Sequence, residues 1–428
     1  MLLALDIFIL IFTLLAFFLN KKDILSPTFL FGGVLFVCCT FAIIGNQTWK
    51  MSISSLLIPV IAVGLLSGEL GEQCARRGRS RLQKDVRFLA NRTSKKRPRI
   101  IKINLLLFFF LFGIEILFVF LFYLKSLDLA ISIGYKPGKP LLQYIRVATS
   151  VNGLKYGIFF AIVNPFVSVF SYLSVFMFLN NAMIKTRRNA ILKNSYLLLP
   201  LIPFFVYLYF TAVRMGFIEF FLSMFLIFVF CMQRSDLNYP KWKFILIVGI
   251  AIVAVFLIFV IMGKNMKKVG ENVFASIVLY AGSSLCAFSQ WLEKGNVFLS
   301  NYFGQETFYG FWNFLSRFFD VPEGTKILEF VNLGESISNI YTCFRSYLAD
   351  FGVIGLVVFP FLTHFFMTRG KMGLKKKHTL QSVVLYSYFF AKFINQVFAC
   401  ELTNCLLTSS QIFFLLWTVA LCNLIRIK

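Results

Sequence analysis

A chain of 428 residues, 59% of them hydrophobic and only 14% charged, with a mean hydropathy of +0.79, carries more apolar surface than a water-soluble core could hide. Its net charge of +25 is spread over short loops between apolar runs, which points to orientation in a membrane and away from nucleic acid. Nine cysteines, most of them in or beside apolar runs, act as small hydrophobes and argue against a disulfide framework, with Cys286 and Cys405 the one pairing left open.

In lipid the backbone must satisfy its own hydrogen bonds, so every apolar run of spanning length reads as a helix. The expected fold class is all-α, a polytopic integral membrane protein in one membrane domain over 1 to 428. Eleven spans are predicted, at roughly 2 to 19, 28 to 45, 54 to 68, 104 to 124, 156 to 179, 196 to 212, 216 to 232, 243 to 262, 348 to 367, 380 to 400 and 406 to 425. The first has no basic residues before it and no small-residue cleavage site, so it reads as a span and not as a secretory signal.

Orientation follows from charge. Residues 69 to 103 carry Arg76, Arg77, Arg79, Arg81, Lys95, Lys96, Arg97 and Arg99 with few acids, a basic cytoplasmic loop by the positive-inside rule. Counting from it puts the N-terminus in the periplasm, the C-terminus in the cytoplasm, and two long segments outside, 125 to 155 and 263 to 347. Within the second, Val273 to Trp291 is apolar but interrupted by Gly282-Ser283-Ser284, which predicts an interfacial or re-entrant helical pair.

No phosphate loop, CxxC, HExxH or GxSxG is present, and the two histidines, His364 and His378, fall in a span and in a cytoplasmic loop. No metal and no cofactor is therefore expected. What the extracytoplasmic side offers is cations, carboxylates and aromatics: Arg214, Lys264, Lys267, Glu306, Arg317, Glu335, Arg345 and Asp350. Guanidinium groups bind phosphate bidentately, so this set suits an anionic, partly lipidic ligand. Arg214 sits in a very short link between two spans, where it is either a snorkelling interfacial residue or a phosphate clamp. Arg345 and Asp350, five apart, are poorly placed to pair on one helix face, so each needs another partner. An aromatic cluster at Tyr302, Phe303, Phe308, Tyr309, Phe311 and Trp312 fits either a membrane-interface belt or sugar stacking. Inside the spans, Lys392 is expected to pair with Glu219 or Glu115.

The stretch Asn339-Ile340-Tyr341-Thr342-Cys343-Phe344-Arg345-Ser346-Tyr347-Leu348-Ala349-Asp350-Phe351-Gly352, continuing to Gly355, resembles the entry to a late span in bacterial O-antigen polymerases, the oligosaccharide repeat-unit polymerases. Ser26-Pro27 at the second span, Thr211 to Gly216, and Tyr280 to Ser283 with Gly304 to Phe308 agree in order. The family's Arg-x10-Gly spacing is not matched at Arg345, which is followed by Gly352 and Gly355.

The resemblance implies transfer of a growing glycan from undecaprenyl pyrophosphate to a hydroxyl of a second lipid-linked repeat unit, at the periplasmic face of the inner membrane. For that chemistry the outer residues are assigned as follows: Arg214 and Arg345 on the pyrophosphate, Glu335 or Asp350 as base, and Arg317, Lys264, Lys267, Tyr341, Asn339 and Glu306 in substrate binding. Membrane lipids and a chain-length regulator protein are the implied partners. The alternatives are a lipid-linked oligosaccharide flippase, which should carry more charge in its spans and shorter loops, and an O-antigen ligase, which should carry a histidine outside.

Overall fold

In a computed structural model, residues 1–86, 100–184, 192–235, 273–295, 300–325, 327–334, 336–374, 379–406 and 408–425 are described. The described residues are all-α apart from one short hairpin, and eight of their helices are long and apolar enough to cross a membrane. The predicted span at 243 to 262 lies outside the described residues. Large apolar side chains such as Leu106 and Ile354 stand 82% and 74% exposed on these helices, an exposure that lipid tolerates and water does not.

The chain divides into two compact units. The first comprises Met1–Ser94, Glu271–Lys377 and Lys392–Thr408, the second Lys95–Gly270, His378–Ala391 and Ser409–Lys428. In the first unit α1 (Leu2–Leu19) packs on α2 (Pro27–Trp49), and α3 (Leu57–Val86) follows. Pro27 opens α2 at a position where its missing N–H costs nothing, and the Ser26 hydroxyl accepts the Phe29 N–H at 3.3 Å.

In the second unit α4 (Leu105–Ser132) is capped by Asn104, whose side chain accepts the Leu106 N–H at 2.9 Å. It runs past the predicted end of its span, and the first long segment adds α5 (Leu141–Arg146) and a single π turn. α6 (Ile158–Ile184), α7 (Leu201–Phe210) and α8 (Met215–Ser235) complete the early part of this unit.

Returning to the first unit, α9 (Val273–Glu293) is one continuous helix, so the expected pair broken at Gly282-Ser283-Ser284 is not what forms. The glycine serves packing. A Cβ on Gly282 would stand 2.7 Å from the backbone of Phe41 and Ala42, so only Gly lets α9 lie this close to α2. Short α10 (Tyr309–Leu315) and the antiparallel pair β1 (Val331–Leu333) and β2 (Ser336–Ser338) lead to α11 (Cys343–Leu374).

α11 is not a straight span. Gly352 has φ 61°, ψ −152°, and the chain folds back there into a helical hairpin. The Tyr347 and Phe359 rings, twelve positions apart in sequence, stack at 5.0 Å. Phe344 and His364 both lie within 6.0 Å of the Phe31 ring, whereas a straight helix would separate them by roughly 30 Å. Small residues of α3 receive both arms: a Cβ on Gly64 would lie 2.5 Å from the Phe344 ring and one on Gly68 2.7 Å from His364.

α12 (Leu380–Asn395), short α13 (Glu401–Asn404) and α14 (Ser409–Leu424) close the chain. The predicted span 380 to 400 is thus cut short at Asn395, with residues 396 to 400 as a link. α14 packs on α6 in the second unit, where Trp417 donates to the Ile162 carbonyl at 2.8 Å and the Tyr388 and Phe414 rings stack at 3.9 Å.

Within the first unit, segments that charge had assigned to one side of the membrane meet. Asp23, from the α1–α2 link, lies 2.6 Å from Lys371 and 3.1 Å from Arg76, and Glu72 accepts from Ser26 at 2.8 Å and from the Thr28 N–H at 3.0 Å. The segments assigned to the opposite side also meet: Ser52 donates to Glu293 at 2.8 Å, and the Ser54 N–H donates to Ser289 at 2.7 Å.

Candidate functional site

The first arm of the α11 hairpin carries Arg345 near its start and Asp350 near its tip. Neither pairs with the other, as their spacing predicts; Glu306 joins them. The Arg345 Nη1 donates to Glu306 Oε2 at 2.6 Å, while the backbone N–H of Glu306 donates to both Asp350 oxygens at 3.2 and 3.1 Å. Asp350 also accepts the Thr307 N–H at 2.6 Å and the Ser300 hydroxyl. Its charge is therefore spent on fixing the segment 300 to 307, which is what holds Glu306 against the arginine.

Arg345 is only 3% exposed. Its guanidinium carbon lies 4.4 Å from the Tyr341 ring and 5.3 Å from the Trp291 ring, both within cation–π range. Nη2 approaches Glu329 Oε1 at 3.8 Å, too long for a hydrogen bond. Nε has no hydrogen-bond partner among the described residues. A guanidinium offers five N–H donors, and here a single protein carboxylate takes one at short range.

Burial pushes the Glu306 carboxyl up from its ordinary value; Arg345 opposes that rise and the Asp350 charge adds to it. Burial likewise raises the Tyr341 hydroxyl, which donates to the Glu329 backbone carbonyl at 3.0 Å.

The hairpin tip is closed by rings. Phe351 meets Phe303 at 4.8 Å and Phe359 at 4.9 Å, and Phe308 meets Phe359 at 5.6 Å. Part of the aromatic cluster singled out in the sequence therefore packs the hairpin, although Phe303 stays 69% exposed. Trp312 donates its indole N–H to the Phe303 carbonyl at 2.9 Å.

Of the residues predicted for the site, Arg345, Asp350, Glu306 and Tyr341 come together in this cluster. Asn339 lies half-buried just before it and Arg317 is exposed beyond α10. Arg214 belongs to the second unit, half-buried in the link between α7 and α8. Lys264, Lys267 and Glu335 lie outside the described residues. Two members had no sequence signal: Trp291, which reads as the end of an apolar run, and Glu329, one acid in a segment without periodicity.

Among the buried charges of the spans, Lys392 lies 3.9 Å from Glu401 in the first unit, and Glu115 accepts the Ser171 hydroxyl at 3.0 Å in the second. All nine cysteines are free, Cys286 and Cys405 included. Among the described residues no group of three or more His, Cys, Asp or Glu could hold a metal ion. Compared with family models, curated proteins and solved structures, the chain matches none.

Proposed function

We propose that this membrane protein polymerises undecaprenyl-pyrophosphate-linked oligosaccharide repeat units into O-antigen polysaccharide at the periplasmic face of the inner membrane, as a glycosyltransferase without cofactor. The observation that carries the reading is the buried Arg345 with donors to spare, beside carboxylates and held on the first arm of the α11 hairpin, within the stretch Asn339 to Gly355. Pyrophosphate is a good leaving group already, so catalysis chiefly needs cations to meet the charge that develops on it and a carboxylate to take a proton from the attacking hydroxyl.

In this reading Arg345 contacts the pyrophosphate, and Arg317 draws the anionic substrate in. Asp350 orients Glu306 through its backbone, and Tyr341 and Asn339 line the approach. Replacing Arg345 by Ala should abolish long glycan chains on a silver-stained lipopolysaccharide gel while the protein still inserts; a normal ladder would refute the assignment. The same gel separates the rival transporter reading, because loss of a polymerase leaves lipid A core capped by one repeat unit and loss of a flippase leaves it uncapped.

A further inference from the structure

We propose that Glu329 is the carboxylate that takes the proton from the attacking hydroxyl. This rests on the polymerase reading of the Arg345 site and adds a residue to it.

Three carboxylates meet around Arg345 among the described residues, and they differ in what their oxygens already do. Both oxygens of Asp350 accept backbone N–H groups, and Ser300 adds a hydroxyl. A carboxylate so engaged has few lone pairs left for a substrate proton. Glu306 is 8% exposed, with Oε2 at 2.6 Å from Arg345 Nη1; its acceptor capacity faces the arginine and the interior.

Glu329 is different. Its Oε1 is buried 3.8 Å from Arg345 Nη2 with no hydrogen-bond donor among the described residues, while its side chain as a whole is 36% exposed, so that the rest of the group reaches the surface. Its backbone is fixed by the Tyr341 hydroxyl at 3.0 Å, and that same Tyr341 ring stacks on the guanidinium. A half-exposed carboxylate on a fixed backbone thus borders a nine-tenths-buried guanidinium whose Nε is unfilled. A sugar hydroxyl donating to Glu329 would put its oxygen next to cationic donors able to hold an adjacent phosphate oxygen.

The step balances without another reactant. The acceptor hydroxyl oxygen bonds to the anomeric carbon of the donor glycan as the bond from that carbon to the phosphate oxygen breaks. The bonding pair leaves with undecaprenyl pyrophosphate, and the hydroxyl proton passes to the Glu329 carboxylate.

The test uses the purified full-length protein and lipid-linked oligosaccharide extracted from cells that lack it. Wild type should build a ladder. Glu329→Gln, nearly isosteric, should slow elongation by about 10²–10⁴-fold, the usual worth of a general base, with KM and melting temperature little changed; Glu329→Asp should keep an intermediate rate. A folded Glu329→Gln protein within about threefold of wild type overturns the inference and leaves the polymerase reading standing. If Glu329→Gln fails to fold, Glu329→Asp decides: a rate like wild type overturns the inference, and a rate at least about tenfold lower at unchanged melting temperature supports it. Wild-type protein that elongates nothing overturns both.

Discussion

Replacing Gly352 by Ala tests the hairpin on which the whole candidate site hangs. Gly352 has φ 61° and ψ −152°, a region that is essentially closed to residues with a Cβ and costs of order 1–3 kcal/mol when a side chain is forced into it. The strain cannot be relieved locally, because Tyr347 and Phe359 stack across the turn at 5.0 Å and Phe351 packs on Phe303 at 4.8 Å. If the turn opened towards a continuous helix, those contacts would be lost and Asp350 would leave the N–H groups of Glu306 and Thr307. Gly352→Ala should therefore lower the melting temperature of detergent-purified protein by a few degrees, given that ~1 kcal/mol moves Tm by roughly 2–4 °C in domains of 150–250 residues. It should also shorten the glycan ladder. Gly373→Ala is the control: it lies in the same helix, exposed, with nothing within 4 Å of an added Cβ, and should be neutral or stabilising by up to ~1 kcal/mol. Equal melting temperatures and equal ladders for Gly352→Ala and wild type would refute the hairpin.

Gly282→Val should destabilise the packing of α9 on α2 by about 1–3 kcal/mol, since its side chain would meet the Phe41–Ala42 backbone at 2.7 Å; an unchanged thermal melt would contradict that packing. Asp23→Asn strips the charge that faces buried Lys371 and Arg76 and should cost roughly 3–5 kcal/mol, with partial recovery in Asp23→Asn/Lys371→Met as the check in a double-mutant cycle. Burial of Asp23 favours its neutral form, but Lys371 and Arg76 outweigh it and hold its pKa below the ordinary 3.8. Its folded form thus stays ionised where the unfolded chain takes up a proton, so the stabilisation is complete above the ordinary value and fades as pH falls through the lowered one. Melting curves of wild type should lose more below about pH 4 than those of Asp23→Asn. Asp350→Asn, which turns one carboxylate oxygen into a donor facing backbone N–H groups, should loosen the segment 300 to 307 and shorten glycan chains without preventing insertion; a normal ladder would show that this segment is not needed in the site.

Where a signal depended on composition or on short-range pattern, the sequence carried it. Long apolar runs dictate helices wherever lipid is the solvent, and Ser26-Pro27 marks the start of α2 because the cap and the first-turn proline are local features. The charge pattern grouped Lys21-Lys22, the stretch after Glu69 and the end of the 348 to 367 run, and Asp23, Arg76 and Lys371 do converge. Arg345 and Asp350 were legible as groups needing other partners, since five positions do not share a helix face.

Tertiary structure decided what local pattern leaves degenerate. Gly282 and Gly352 are the same residue in apolar surroundings, yet one lets two helices touch and the other reverses a helix on itself. What separates them is the backbone that comes within 2.7 Å of Gly282 and the φ of 61° adopted by Gly352, and neither is encoded in hydropathy. Likewise no periodicity distinguishes Glu329 from other acids of its segment, because its place beside Arg345 arises only when the hairpin and the Tyr341 hydroxyl bring residues 329 and 345 together. The sequence by itself therefore determined the solvent, the helices and the groups that needed partners, all set by short-range chemistry. Which partners they found was fixed by long-range packing.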